Sequence, residues 1–373
     1  MAGALDQLRI LDFSRVLAGP LATMVLADLG AEVIKVERPG GGDETRAWAP
    51  PRDERGEGTY FQAVNRNKQT VVLDLGNAAD RERALAMVSK ADVLVENFRP
   101  GVMDRHGLGY EALRRQRPEL VYCSITGFGA GAGAELPGYD LLVQAVGGLM
   151  SITGSPEGEP QKVGVALVDV IAGLFAAVGI LAALRHRERT GRGQRVEVDL
   201  LSSLLAALVN QASAYTLAGE VAGRMGNRHP SIAPYELLAT SDGEIALAVG
   251  NDGQFAALCE VVGRPELAAE RRYLENAARV ANREQLRVDL EAALSARDAG
   301  SWIAELTAAG VPAGRVNDIA GAYELAETLG LEPIVEIPRK DGSAARLPRN
   351  PIRLSETPPS YRSPPPELPS ADG

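Results

Sequence analysis

Through the first half of the chain, short apolar runs alternate with segments of helical period. Arg9–Phe13 reads as a strand. Leu21, Met24, Val25 and Leu29 then share one face of a helix, with Pro20 in its first turn and Gly30 at its end. Glu32–Glu37 predicts a second strand, and Thr70–Leu75, Asp92–Asn97 and Leu120–Thr126 predict three more, with a helix over Asp80–Lys90. This alternation predicts an α/β fold built on a parallel sheet of nucleotide-binding type, helices on both faces and ligands at the carboxyl ends of the strands. Residues 37–61 are rich in Gly, Pro and charge and predict a long surface loop, a feature usually functional or disordered.

Val163–Leu184 holds a single charge, Asp169, in 22 residues. By length alone it spans a bilayer. A buried strand over 163–168 followed by a buried helix starting at Asp169 fits better: VGVALV is β-rich, and Ala172, Gly173, Ala176, Ala177 and Gly179 allow close packing. Cations over Arg185–Arg189 favour that helix's C-terminus. Arg195–Asp199 predicts a strand and Leu200–Tyr215 a second apolar helix. A new unit begins near Arg224, with a strand over Glu244–Val249 and helices over 253–263, 281–296 and 299–309; residues 312–318 lead into another helix. The proline-rich end, 356–373, predicts an extended tail.

Composition narrows the function. The chain has 373 residues, 45% hydrophobic and 24% charged, enough to bury a large core without disulfide or metal staples. Aromatics are 5%, which argues against a stacking surface for single-stranded bases. A net charge of −10 repels nucleic acid and anionic membranes, so an anionic ligand needs a few local cations. Two distant cysteines, Cys123 and Cys259, and three histidines give no zinc-type spacing and suit a reducing compartment. The N-terminal segment has no apolar run of signal length, so the expected location is cytoplasmic.

Four features carry candidate chemistry. Gly129, Gly131 and Ala134 match dinucleotide-fingerprint spacing, but Pro137 and Gly138 interrupt where a helix is required, which leaves a flexible loop over a site. Arg38 follows the second strand, either as a phosphate contact near a ribose or as a solvated surface residue. Arg99 and Arg105 follow the strand ending at Asn97; with Arg38 they form a set able to hold a polyanion. Asp169, alone among apolar residues, has two readings. It is an N-cap, worth about 0.5–2 kcal/mol, or a sheltered nucleophile whose ionised form the helix amides favour.

The stretches LRILDFSRVLAGPLATMVLADLGAEVIKVERPGGGDETR, NRNKQTVVLDL, ADVLVENFRPGVMDRHGLGYEAL, GYDLLVQAVGGLMSITG and ILAALRHRERTGRGQRVEV cover most of residues 7–200. In order and spacing they resemble the family III CoA-transferases, a group that includes formyl-CoA, carnitine and succinyl-CoA-dependent transferases and the 2-methylacyl-CoA racemases. The resemblance implies that Asp169 is the catalytic aspartate. It places Val16, Leu17, Arg38, Lys68, Leu73, Asn97, Phe98, Arg99 and Arg105 in CoA-contacting segments, and Tyr139 and Asp140 beside the reacting thioester. A glutamine found in some members after the first strand is Leu17 here, so that contact is apolar or through backbone.

The resemblance further implies an interlocked homodimer. Each chain would have a large CoA-binding domain over 1–200 and 330–373, a linker helix region over 201–225 and a smaller α+β domain over 226–329. Acyl-CoA and a small carboxylic acid are the implied partners, with CoA thioesters as substrates, no permanently bound cofactor, and neither nucleic acid nor membrane. Asp169 would attack the donor thioester to give a mixed anhydride, then carry CoA as an aspartyl thioester to the acceptor. Racemases carry a histidine where Tyr139 stands. A phenol with a pKa of about 10 is a poor base, which favours transfer over racemisation unless His229 substitutes. Residues 224–236 resemble a loop of dicarboxylate-using members, making Arg224, Arg228 and His229 candidate contacts to a second carboxylate; a polar interdomain turn is the other reading. A CoA-binding regulator without turnover, or a membrane protein, is the alternative from another class.

Overall fold

The computed structural model describes residues 3–369. Residues 1–2 of the N-terminal segment and 370–373 of the proline-rich tail therefore lie outside the described residues. The chain divides into two compact units, one comprising the residues up to 149, 162–220 and from 332 onward, the other 150–161 and 221–331. The helical region after 200 thus belongs to the first unit as far as residue 220, and a short early segment joins the second.

The first unit is built on β1 (Arg9–Asp12), β2 (Glu32–Glu37), β3 (Lys68–Val72), β4 (Val93–Glu96), β5 (Val121–Thr126) and β6 (Arg195–Asp199). They form one parallel sheet in the order β3-β2-β1-β4-β5-β6. The period of two sorts its side chains. Ile10, Val93, Val95, Val121 and Cys123 enter one apolar cluster, whereas Leu11, Leu94 and Tyr122 enter another on the opposite face. Strand order reverses between β1 and β4, the switch point beside which ligands bind in such sheets.

The first helix, Ala18–Asp28, packs with the long helix Leu167–Thr190 against one face. Gly173 makes this possible: a Cβ there would lie 2.5 Å from the Ala18 carbonyl oxygen. Gly173 is one turn below Asp169 and shares its face, so the same contact sets the head of the first helix beside Asp169. The long helix is apolar and long enough to cross a membrane, but Val168, Ala172, Ala176 and Ile180 are buried in the core of the first unit.

Two local expectations differ from the structure. Residues 163–166 form no strand, and the long helix begins at Leu167, two residues before Asp169. Val165 is exposed and no strand pairs with the segment, so β propensity had nothing to act on. The apolar stretch after β6 is two helices, Leu200–Ala207 and Val209–Ala218, bent by 83° where Val209 takes a positive φ. The tail is docked by side chains: Arg362 donates to the carbonyls of Ala27, Gly30 and Ala31, and Asn67 accepts from the amides of Arg362 and Ser363. A hairpin of β10 (Ile334–Pro338) and β11 (Ala344–Pro348) precedes it.

In the second unit, β7 (Tyr235–Ala239), β8 (Glu244–Ala248) and β9 (Ala313–Arg315) form an antiparallel sheet. Helices Asp252–Val261, Arg283–Leu294 and Ala299–Ala308 cover it around Leu238, Leu247, Phe255, Leu290 and Trp302. Here β9 occupies part of what the sequence suggests is only a connection.

Candidate active site

At the head of the long helix, Ala166 is the N-cap and offers no side-chain acceptor. The orphan amides are met from outside the helix by Asp140, whose Oδ1 accepts from Val168 N at 2.8 Å and from Asp169 N at 3.4 Å. The other Asp140 oxygen accepts from Gln144 Nε2 at 2.6 Å. Gln144 is fully buried, and its Oε1 accepts the Val163 amide at 2.9 Å. Asp169 is therefore not the cap.

Among the described residues, no hydrogen bond and no cation lowers the Asp169 carboxyl. Burial first, and the Asp140 charge second, push it from 3.8 up to about 7. The expectation that helix amides would favour its ionised form fails because Asp140 takes the amides.

Asp169 opens on a cavity of about 330 Å³ with Val16, Leu17, Ala18, Asn97, Arg99 and Tyr139. The Gly127–Gly138 loop lines it too, and no histidine does so among the described residues. Val16 has φ 69°, a left-handed conformation that is strained for a β-branched residue. Asn97 holds it there: its Oδ1 accepts the Arg15 amide at 2.9 Å and its Nδ2 donates to the Arg15 carbonyl at 2.8 Å. Leu17 is the N-cap of the first helix and has no side-chain acceptor. The head of the first helix thus lines the cavity with no side chain capping its amides among the described residues.

A second cavity of about 230 Å³ contains Arg38, Leu73, Phe98 and His106 at the carboxyl ends of β2, β3 and β4. Arg15 and Phe98 line both cavities, so the two adjoin. The Glu37 carboxylate is closed by Arg46, Thr70 Oγ1 and the Asp43 amide, which leaves Arg38 as the exposed charge at this strand end. Arg105 is exposed but lines neither cavity.

Lys68 does not reach a ligand. It is buried, and Nζ donates to Asp12 Oδ2 at 2.9 Å, to Pro20 O at 2.8 Å and to Asn65 Oδ1 at 2.9 Å. It belongs to an internal ionic cluster with the Lys35–Asp43 pair, whose side chains are wholly buried at 2.9 Å. This cluster pins β1, β2, β3 and the loop after β2.

In the second unit, Arg228 is occupied rather than waiting for an acid. Its guanidinium pairs with both Glu284 oxygens and lies 3.5 Å from Glu236. Arg224 donates to the carbonyls of Ser155 and Gly158. The His229 Nδ1 accepts the Ser231 amide, and its ring lies 5.3 Å from that of Tyr235.

Two polar residues near Asp169 gave no sequence signal. One is Gln144, the polar position besides Asp140 in an otherwise apolar helix. The other is Tyr60, whose hydroxyl is raised first by burial and then by the charges of Asp169 and Asp140. Only its place in the long 37–61 loop hinted at Tyr60.

The chain is similar to known proteins over nearly its whole length. The family model for CoA-transferase family III matches residues 5–371. The succinate–glutarate CoA-transferase of Agrobacterium fabrum is 41% identical over 98% of this chain and 92% of its own. The succinyl-CoA:mesaconate CoA-transferase of Haloarcula marismortui is 43% identical over 96% and 92%, and the acetyl-CoA:oxalate CoA-transferase of Acetobacter aceti is 42% identical over 95% and 90%. Among solved structures, a CAIB/BAIF family protein from Brucella suis superposes with TM-score 0.86 at 42% identity, covering 99% of this chain and 97% of that one. Given a match across nearly the whole chain, the protein belongs to CoA-transferase family III and is a CoA-transferase.

Proposed function

We propose that the protein moves CoA from a succinyl-CoA-type donor to a dicarboxylate acceptor through covalent loading of Asp169. The observation that carries the mechanism is a sheltered carboxylate with no hydrogen-bond donor, facing a cavity shared with uncapped amides of the first helix. The acids are inferred from relatives whose names specify succinate with glutarate or mesaconate.

An Asp169 oxygen attacks the thioester carbonyl carbon; the C–O bond forms, the C–S bond breaks, and CoA leaves as thiolate. The thiolate then attacks the aspartyl carbonyl and expels the donor acid, leaving an aspartyl thioester. An acceptor carboxylate reverses both steps. Backbone amides at the head of the first helix, which lines the same cavity as Asp169, are the donors proposed for each oxyanion. Arg38 and Arg99 supply cations for the CoA phosphates along the two adjoining cavities.

A homodimer is part of this proposal. Leu174, Phe175 and Val178, on the face of the long helix away from the core, are 47%, 45% and 63% exposed, an apolar row that a second copy would cover. A cytoplasmic location is proposed with it, on the two buried free cysteines.

The test supplies succinyl-CoA and labelled glutarate and follows labelled glutaryl-CoA. Formation of the new thioester in step with release of succinate is expected. If no dicarboxylate accepts CoA while other acids do, the acceptor class is wrong.

A further inference from the structure

Asp140 stands in an unusual position. A carboxylate from another helix accepts the first-turn amides of the long helix, that of Asp169 among them, so the two acids end side by side. Gln144 fixes this arrangement, holding Asp140 with one amide atom and Val163 N with the other, so Asp140 has no rotamer freedom to swing away.

We infer that Asp140 is a positioning residue for the transfer: held on the first-turn amides of the long helix, it places a like charge beside Asp169, so that each loading of the empty Asp169 relieves a repulsion. The inference rests on Asp169 being the nucleophile. In the first step an Asp169 oxygen forms its bond to the donor carbonyl carbon and sulfur departs with the electron pair of the C–S bond. The negative charge moves from Asp169 to the thiolate. In the second, the thiolate bonds to the aspartyl carbon and the charge leaves on the donor carboxylate. Asp169 is neutral in both covalent forms and charged only when empty, so a fixed neighbouring anion favours the first step, in which the charge leaves Asp169, and is indifferent to the second, in which Asp169 stays neutral.

Other groups facing Asp169 do not cancel this. Tyr60 is neutral near pH 7, its hydroxyl being raised by burial. Tyr139, Arg15, Glu44 and Arg99 line the same cavity. Of all these, only Asp140 bonds to the Asp169 amide. The Asp169 carboxyl is raised first by burial and second by this repulsion.

The test compares the full-length protein with Asp140→Asn, which keeps an oxygen for the helix amides but loses the charge, and Asp140→Ala, which loses both. Two quantities are read: the acidic limb of kcat/KM against pH, and the fraction of protein covalently loaded in a quenched mixture with succinyl-CoA. In Asp140→Asn the limb moves to lower pH and the loaded fraction at pH 8 falls, about tenfold for each unit of limb shift. Asp140→Ala shows the same shift with a lower Tm besides. An unmoved or upward limb in Asp140→Asn, or an unchanged loaded fraction, overturns the role of Asp140. If the wild-type protein itself is never loaded at Asp169, the nucleophile reading fails instead, and the two failures are distinguished by that control.

Discussion

Asp12 and Asp169 are both sheltered aspartates in the first unit, and their surroundings drive them in opposite directions. Burial opposes the charge of each. Asp12 is compensated by Lys68, Lys35, Ser14 and Thr23 and is held down at about 2. Asp169 has no cation and no donor, faces Asp140 and rises to about 7. A carboxylate with every lone pair engaged is a structural fastener, whereas one left bare is stored reactivity. Burial alone therefore does not mark a catalytic acid; the absence of compensation does.

Removing each acid should separate the two kinds of role. Asp169→Ala is expected to abolish exchange, a loss on the order of 10⁴-fold or more in kcat, with Tm unchanged or higher. Steady-state exchange assays beside thermal melts check it, and retained exchange would break the contrast. Asp12→Ala should do the reverse. It leaves Lys68 buried without its anion, so a cost of about 3–5 kcal/mol is expected in urea unfolding.

The pH dependence sharpens the contrast further. The native Asp169 value of about 7 lies above the ordinary 3.8, so between those values the folded protein holds a proton that the unfolded chain has lost. Its contribution lowers stability as pH rises through that window. Asp169→Asn should thus melt above wild type at pH 8 and with it near pH 3.8. Asp12, held near 2, contributes stability that is present above 3.8 and is lost as pH falls through 2. Equal melting of Asp169→Asn and wild type at pH 8 would show that the bare carboxylate stores nothing.

The smallest effect is expected in the second unit. Arg228 is already paired with Glu284 and Glu236, so Arg228→Ala should lower Tm slightly and leave the acceptor KM within about twofold. A selective rise in that KM would make Arg228 a carboxylate contact after all.

The parallel sheet was legible in the sequence because its strands are short apolar runs separated by helical periods, and both signals are local. So was Asp169, because a single charge in an apolar stretch needs no partner to be noticed. What escaped were relations between distant positions. The resemblance puts Lys68 in a CoA-contacting segment, and only the fold brings Asp12, 56 positions earlier, to meet it. Asp169 looks like its own helix's cap until Asp140, 28 positions before Val168, takes that place. The 163–168 strand failed for the same reason: valines prefer strands, but a strand needs a neighbour to bond with.

The mechanism turns on covalent loading of Asp169 in each cycle. Acid-quenched protein from a turning-over mixture of succinyl-CoA and acceptor, digested and weighed, tests it most directly. The account predicts CoA joined with loss of water to the peptide containing Asp169, appearing within one turnover and vanishing when excess acceptor is chased in. Productive exchange with that peptide unmodified at every quench time would contradict it.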